Sequence, residues 1–228
     1  ALTKTVIRED ILLSPHELFN ISKLDWSPNG NFIAIIGDST QGGQAVLIWD
    51  VSQHNVCWAY FQRSGDFREA FTWSPDERYL VTGGEKALQI FDISALVAHG
   101  GDPFSIKQHE FLYYVGCTAW SPDGKYIAIS AYRDIYLWEP FQDRSRVCRG
   151  HTSTVTALAW SPQSDYLVSG SSDQTVKIWP VADRHEILQE IFTYKGHSGE
   201  ITGLSWSPEG TRIASASKDR TVQIWQFI

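Results

Sequence analysis

Polar turns and short apolar runs alternate along this chain with a long period. The tripeptide Trp-Ser-Pro recurs at Trp26, Trp73, Trp120, Trp160 and Trp206, at intervals of 47, 47, 40 and 46 residues. Polar turn residues follow each copy, three times with glycine: Asn29-Gly30, Asp123-Gly124 and Glu209-Gly210. A strand-like run comes next, as in Phe32-Ile33-Ala34-Ile35, Tyr79-Leu80-Val81, Tyr126-Ile127-Ala128-Ile129, Tyr166-Leu167-Val168 and Arg212-Ile213-Ala214. An apolar-aromatic pair closes each unit: Ile48-Trp49, Ile90-Phe91, Leu137-Trp138, Ile178-Trp179 and Ile224-Trp225. Strand, tight turn, strand, turn, strand is an antiparallel meander. Proline after Trp-Ser ends the first strand, because it has no amide hydrogen to give to a ladder. Helical periodicity is nearly absent, and the best helical candidate is 182–190. Units of this size cannot bury both faces of a small sheet alone, so they must stack on one another.

Composition sharpens this picture. Of the 10 Trp in the chain, nine lie on the repeat and only Trp58 falls outside it. The 228 residues are 43% hydrophobic and 20% charged, enough to build a buried core. The net charge is −7, from 19 basic and 26 acidic residues, which argues against a nucleic-acid partner. No apolar run reaches the length of a membrane span, so no membrane partner is expected. There is no Met, which reads as a processed protein or a piece of a longer one. Cys57, Cys117 and Cys148 match no zinc or redox spacing and favour a reducing, cytoplasmic setting. No metal or cofactor motif is present, and no phosphate-binding loop.

These residues resemble the WD-repeat family, whose fold is the β-propeller. The likeness is most specific in the last two units. There Gly150-His151 and Gly196-His197 are followed 18 residues later by Ser169 and Ser215. Asp173 and Asp219 come 4 residues on, and Trp179 and Trp225 another 6. The first three units depart from the pattern: unit 2 has Thr82, Glu85 and Phe91, and unit 3 has Phe111 in place of His. Their blades are expected to lack the family's buried polar network and to rely on apolar packing.

The resemblance implies an all-β propeller of five four-stranded antiparallel blades in one domain spanning 1–228. The units run approximately over 14–52, 62–93, 108–140, 150–181 and 196–228. Outer strands are expected around Val56–Phe61, Ser105–Glu110, Ser145–Arg149 and Leu188–Tyr194. A strand within 3–12 would pair with the C-terminal blade and close the ring. The rival reading is a cut from a larger, seven-bladed ring.

Two constellations invite chemistry. Ser, His and Asp together suggest a hydrolase, but the set occurs twice at equal spacing and lacks a Gly-x-Ser-x-Gly elbow. By the family resemblance His151, Ser169, Asp173 and Trp179, and likewise His197, Ser215, Asp219 and Trp225, form buried hydrogen-bond chains. Carboxylates meeting at a central axis would make a glycan-cleaving propeller, with Asp25, Glu69 and Glu200 as candidates. Thr156, Gly116 and Ser22 at comparable positions are not acids, so no symmetric set arises.

The expected function is therefore noncatalytic. It is a scaffold or regulatory module that binds a protein or peptide on one rim, as a monomeric domain of a larger protein. The alternative is a glycan-binding or glycan-cleaving propeller. The resemblance assigns the rim to Asn20 and Ser22, Phe67 and Glu69, Tyr114 with Gly116, Thr154, Thr156 and Ser172, and Glu200, Thr202 and Lys218. Arg144, Arg146 and Arg149 read as a solvated edge that discourages strand pairing. The segment 95–103 reads as a surface loop.

Overall fold

Each Trp-Ser-Pro turn folds back on its own serine. The hydroxyl oxygens of Ser27, Ser74, Ser121, Ser161 and Ser207 accept the amide five residues on, from Phe32, Tyr79, Tyr126, Tyr166 and Arg212, at 2.8–3.0 Å. The third residue after each serine has positive φ: Gly30 (75°), Glu77 (62°), Gly124 (74°), Ser164 (63°) and Gly210 (75°). Glycine is thus used three times where the backbone turns left-handed, and two units tolerate a side chain there.

The computed structural model describes residues 18–40, 42–62, 70–83, 87–94, 104–111, 113–182 and 185–227. The expected closing strand in 3–12, the loop 95–103, Glu85, and the rim residues Phe67 and Glu69 lie outside them. Two compact units arise, Ala1–Ser64 and Gly65–Ile228.

The first unit carries one antiparallel meander: β1 (Leu18–Trp26), β2 (Phe32–Ser39), β3 (Gln44–Asp50) and β4 (Asn55–Gln62). Ile33, Ile35, Ala45 and Leu47 form its buried cluster, with Trp49, Val51, Val56 and Ala59 around it.

The second unit holds four sheets. The first is β5 (Phe71–Trp73), β6 (Tyr79–Gly83), β7 (Ala87–Asp92) and β8 (Phe104–Glu110). The next is β9 (Val115–Trp120), β10 (Ile127–Ala131), β11 (Asp134–Glu139) and β12 (Arg144–Cys148). It is followed by β13 (Val155–Trp160), β14 (Tyr166–Ser171) and β15 (Val176–Pro180). Two short strands come next, β16 (Ile187–Leu188) and β17 (Phe192–Tyr194). The last sheet is β18 (Ile201–Trp206), β19 (Arg212–Ser217) and β20 (Val222–Gln226), three strands among the described residues.

Two expectations are corrected here. The segment Leu188–Tyr194 is not one outer strand. β16 adds parallel to β12 in the preceding sheet, and only β17 completes the sheet of β13–β15. The stretch 182–190 is not helical where it is described, because its middle is β16: Val147 donates to the Glu186 carbonyl at 2.8 Å. Tertiary pairing overrides a weak local helical preference.

Within the second unit the sheets stack face on face. Val81, Leu88 and Ile90 meet Val115, Trp120 and Ile129. Ala128, Ile135 and Leu137 meet Val155, Trp160 and Trp179. Val168, Val176 and Ile178 meet Ile201 and Ile213, with Leu204 and Trp206 beside them. The two middle sheets therefore bury apolar side chains on both faces, and this is why their strands read as nearly continuous hydrophobic runs. On β20 Val222 and Ile224 are exposed (67% and 70%), although their counterparts Val176 and Ile178 are fully covered.

Candidate functional site

His151 and its partners form a chain with a defined proton direction. Nδ1 lies 2.8 Å from the Asp173 carboxylate and Nε2 lies 2.8 Å from the Ser169 hydroxyl. A carboxylate only accepts, so Nδ1 carries the hydrogen and Nε2 accepts from Ser169. The Ser169 oxygen in turn accepts the Trp179 indole N–H at 2.8 Å. Burial pushes the Asp173 carboxyl up, but hydrogen bonds from the Thr175 hydroxyl and Thr152 amide, with His151 beside it, outweigh that and hold it down at about 2. Burial lowers the His151 pKa despite the adjacent Asp173, so the ring is neutral.

These distances are those of a hydrolytic triad, yet Ser169 is fully buried and its oxygen is taken by an indole. No substrate reaches it. What the arrangement does is satisfy its polar groups and thereby tie β14 and β15, the turn between them and the segment leading into β13 in one register.

The second copy repeats two of the three contacts. His197 lies 2.8 Å from both Asp219 and Ser215, and Asp219 is held below its ordinary range, first by Thr221 and then by His197. Trp225 differs from the expected chain. Its indole N–H is buried with no acceptor, and its ring lies flat on Tyr194, 4.9 Å away at 9°. In the earlier units the serine position holds Ile35, Thr82 or Ile129, all buried, and the Thr82 hydroxyl has no hydrogen-bond partner.

The rim positions share a backbone cause. Four of the five inner strands shift register at the same place, between Ile21 and Lys23, Val155 and Ala157, and Ile201 and Gly203, and β9 does so opposite Ile129 and Ala131; the described part of β5 pairs without a shift. Ser22, Thr156 and Thr202 are therefore bulge residues, and Gly116 lies in the shifted stretch of β9. Bulges re-aim side chains away from the sheet. Ser22 and Thr156 then spend their hydroxyls on backbone, Ser22 on the Ile36 carbonyl and Thr156 on Gly170 and, across to the next sheet, Ile201. Thr202 and Thr154 are exposed. Asn20 donates to Asp38 at 2.8 Å.

The structure brings Ser172, Glu200 and Lys218 together. Lys218 pairs with the Glu200 carboxylate at 2.9 Å, and Lys218 first, then Ser172, keeps that carboxyl below its ordinary range. Such a carboxyl is a poor general acid. Asp25 lies in the first unit, its carboxyl raised by burial against the pull of Lys23.

Sequence reasoning named Tyr114, which is 48% exposed, and missed two neighbouring tyrosines. Tyr113 and Tyr132 are 53% and 48% exposed, with ring centroids 5.7 Å apart. Tyr132 sits at φ 59°, a left-handed conformation that is costly for an aromatic residue, and its carbonyl accepts the Val155 amide. The available signal was the short turn Ala131-Tyr132-Arg133-Asp134, with a bulky residue where a turn usually carries Gly or Asn.

All three cysteines are free thiols. Burial, then Asp50, pushes Cys57 up to about 11, and burial pushes Cys148 higher still, so neither is a nucleophile at neutral pH. Among the described residues no cluster of three or more His, Cys, Asp or Glu is placed to hold a metal. No described helix is long and apolar enough to cross a membrane.

The sequence matches the model of the "WD domain, G-beta repeat" over residues 103–139, 142–180 and 188–226. It is 27% identical over 194 residues to WD repeat-containing protein 1 of Gallus gallus, covering 78% of this chain and 29% of that protein. It is 25% identical over 155 residues to the transcriptional corepressor LEUNIG_HOMOLOG of Arabidopsis thaliana, covering 66% and 18%. A 77 kDa echinoderm microtubule-associated protein of Lytechinus variegatus is 29% identical over 145 residues, covering 59% and 20%. The chain thus spans less than a third of the length of these relatives.

Proposed function

Since the chain belongs to the WD domain, G-beta repeat family, we propose that it is a noncatalytic interaction module that holds a protein or peptide partner on the rim formed by its bulged inner strands. The observation that carries this reading is the exposed Tyr113–Tyr132 pair, held on a strained turn. Strain of that kind persists where the surrounding structure enforces it and concentrates at functional positions. Tyrosine is also the residue type that anchors interfaces at low entropic cost. Tyr114, Thr154, Ser172, Glu200, Thr202 and Lys218 supply mixed polar contacts around it. Two of the relatives carry names, corepressor and microtubule-associated protein, that denote action through other macromolecules.

The same proposal includes the architecture of five blades closed by the segment 3–12. Support comes from the last sheet, which has three strands among the described residues and leaves Val222 and Ile224 exposed. It also includes a monomeric domain of a longer protein in a cytoplasmic setting. Small-angle scattering checks the closure: a compact monomer supports it, and a crescent or a dimer overturns it.

The function is tested by affinity capture from the source cell with the parent protein and the Tyr113→Ala/Tyr132→Ala variant. Partners retained by the parent are expected to be lost from the variant. An unchanged set of partners would remove this rim from consideration.

A further inference from the structure

The Trp-Ser-Pro turns after β5 and β9 are built alike but carry their charges differently. After β9, Asp123 accepts the Ser121 hydroxyl and the Lys125 amide on Oδ1, and its Oδ2 pairs with the Lys125 ammonium at 3.0 Å. After β5, Asp76 likewise accepts the Ser74 hydroxyl and the Arg78 amide on Oδ1. Arg78 stands where Lys125 does in the repeat, but its guanidinium is drawn to Asp92 at 3.1 Å. Oδ2 of Asp76 is thus left without a cation among the described residues.

Asp76 lines a cleft of about 240 Å³ between these two turns, with Tyr79, Trp120, Asp123 and Phe141 as further walls. Tyr79 stacks on Trp120 at 6.1 Å and 12°, and Phe141 meets Tyr79 at 5.1 Å and 45°. The walls themselves show that the cleft is open: Phe141 is 58% exposed, and Pro75, Asp76, Pro122 and Asp123 are exposed too. The volume is below the roughly 300–1,000 Å³ of small-molecule pockets and suits a single side chain. Tyrosines at this repeat position already take guanidinium groups. Arg78 lies 5.1 Å over the Tyr79 ring. One repeat on, Tyr126 stacks on Trp160 at 6.3 Å and 19°, and Arg146 lies 5.0 Å over Tyr126 with Nη1 donating to the Val181 carbonyl. Arg146 is therefore folded onto its own molecule and is not part of a solvated edge.

We propose that this cleft binds an arginine side chain of a partner protein, with the guanidinium donating to Oδ2 of Asp76 and its flat face against Phe141. A charge-assisted hydrogen bond and a cation–π contact then act on one group. The planar, stackable guanidinium suits such a site better than the compact ammonium of lysine. The cleft lies at the Trp-Ser-Pro end of the inner strands, the end away from their bulges, so it does not depend on the rim.

A nuclear magnetic resonance titration of the full chain tests it, with acetyl-Gly-Arg-Gly-amide as the probe. The citrulline counterpart, of the same shape without the charge, is the control. The arginine peptide is expected to shift the Trp120 indole and Gly124 amide signals saturably, and the citrulline peptide to leave them in place. Asp76→Asn keeps an oxygen for the Ser74 hydroxyl and the Arg78 amide while removing the charge. It and Phe141→Ala should each weaken binding several-fold, and the two together about tenfold, whereas Phe141→Tyr should retain binding. No saturable shift with the arginine peptide overturns the proposal, as does an equal response to citrulline. So does undiminished binding in an Asp76→Asn/Phe141→Ala protein whose near-ultraviolet circular dichroism matches the parent. If that double variant does not fold, undiminished binding in Phe141→Ala alone is decisive against the site. Tyr113→Ala/Tyr132→Ala should leave probe binding unchanged, and its loss there would assign the probe to the rim instead.

Discussion

Ser169 and Thr82 occupy the same position in two repeats, and chemistry separates them. Ser169 bonds both the His151 ring and the Trp179 indole, while the buried Thr82 hydroxyl has no hydrogen-bond partner. Ser169→Ala strands two buried polar groups and should cost about 3 kcal/mol in urea denaturation. Thr82→Val keeps the shape and removes an unpaid desolvation, so it should be neutral or stabilising by about 1 kcal/mol. Gly124 has φ 74° and open space around a hypothetical Cβ, so Gly124→Ala tests backbone strain alone and should cost about 1 kcal/mol. Acid acts on the same polar chain. The lowered pKa of His151 means that the unfolded chain takes up its proton first, so stability falls as the pH drops below about 6.5. A second loss follows from about pH 4 toward 2, as Asp173 leaves the carboxylate form. Denaturation midpoints at pH 7 and 5 should differ less in His151→Gln than in the parent.

At the level of elements, the sequence showed clearly what repeats and poorly what trades places. The Trp-Ser-Pro turns, the strands after them and the closing aromatic pairs were readable, because each is fixed by contacts within a few residues: a serine accepting an amide five positions on, a left-handed turn, a proline that ends a ladder. The two His-Ser-Asp sets were readable because their spacing is fixed by three adjacent strands. Trp225 departed from its set because a stack with Tyr194 fixes the ring of Trp225, and spacing does not report that contact. Nor does spacing show that residues after β15 cross to the preceding sheet, since that choice is made by Leu188, which is fully buried among Leu137, Cys148 and Val155. Leu188→Ala should cost about 3 kcal/mol. It should also speed hydrogen exchange at the Val147 amide, which β16 protects, more than at amides of β13.

Across the whole chain, function was less legible than fold. The repeat establishes stacked sheets and a buried polar spine, and both account for rigidity without naming a partner. The proposed rim tyrosines lie outside the periodic pattern, and such side chains are the ones period-based reading passes over. Tyr132 occupies a strained turn and Tyr113 lies in a connection. The apolar columns of the sheets serve folding. The proposed rim draws on the exceptions to those columns.

The crossing of β16 also sets an order of events during synthesis. The sheet of β9–β12 contains its own four strands once residue 148 has emerged, yet Val147 and Arg149 find their acceptors only when residues 186–188 have followed. Until then the nascent chain presents an unpaired edge along β12 from end to end. The last covering of one sheet and the assembly of the next are therefore one kinetic step, and these two repeats should appear together, or not at all, in a pulse-labelling experiment on the growing chain.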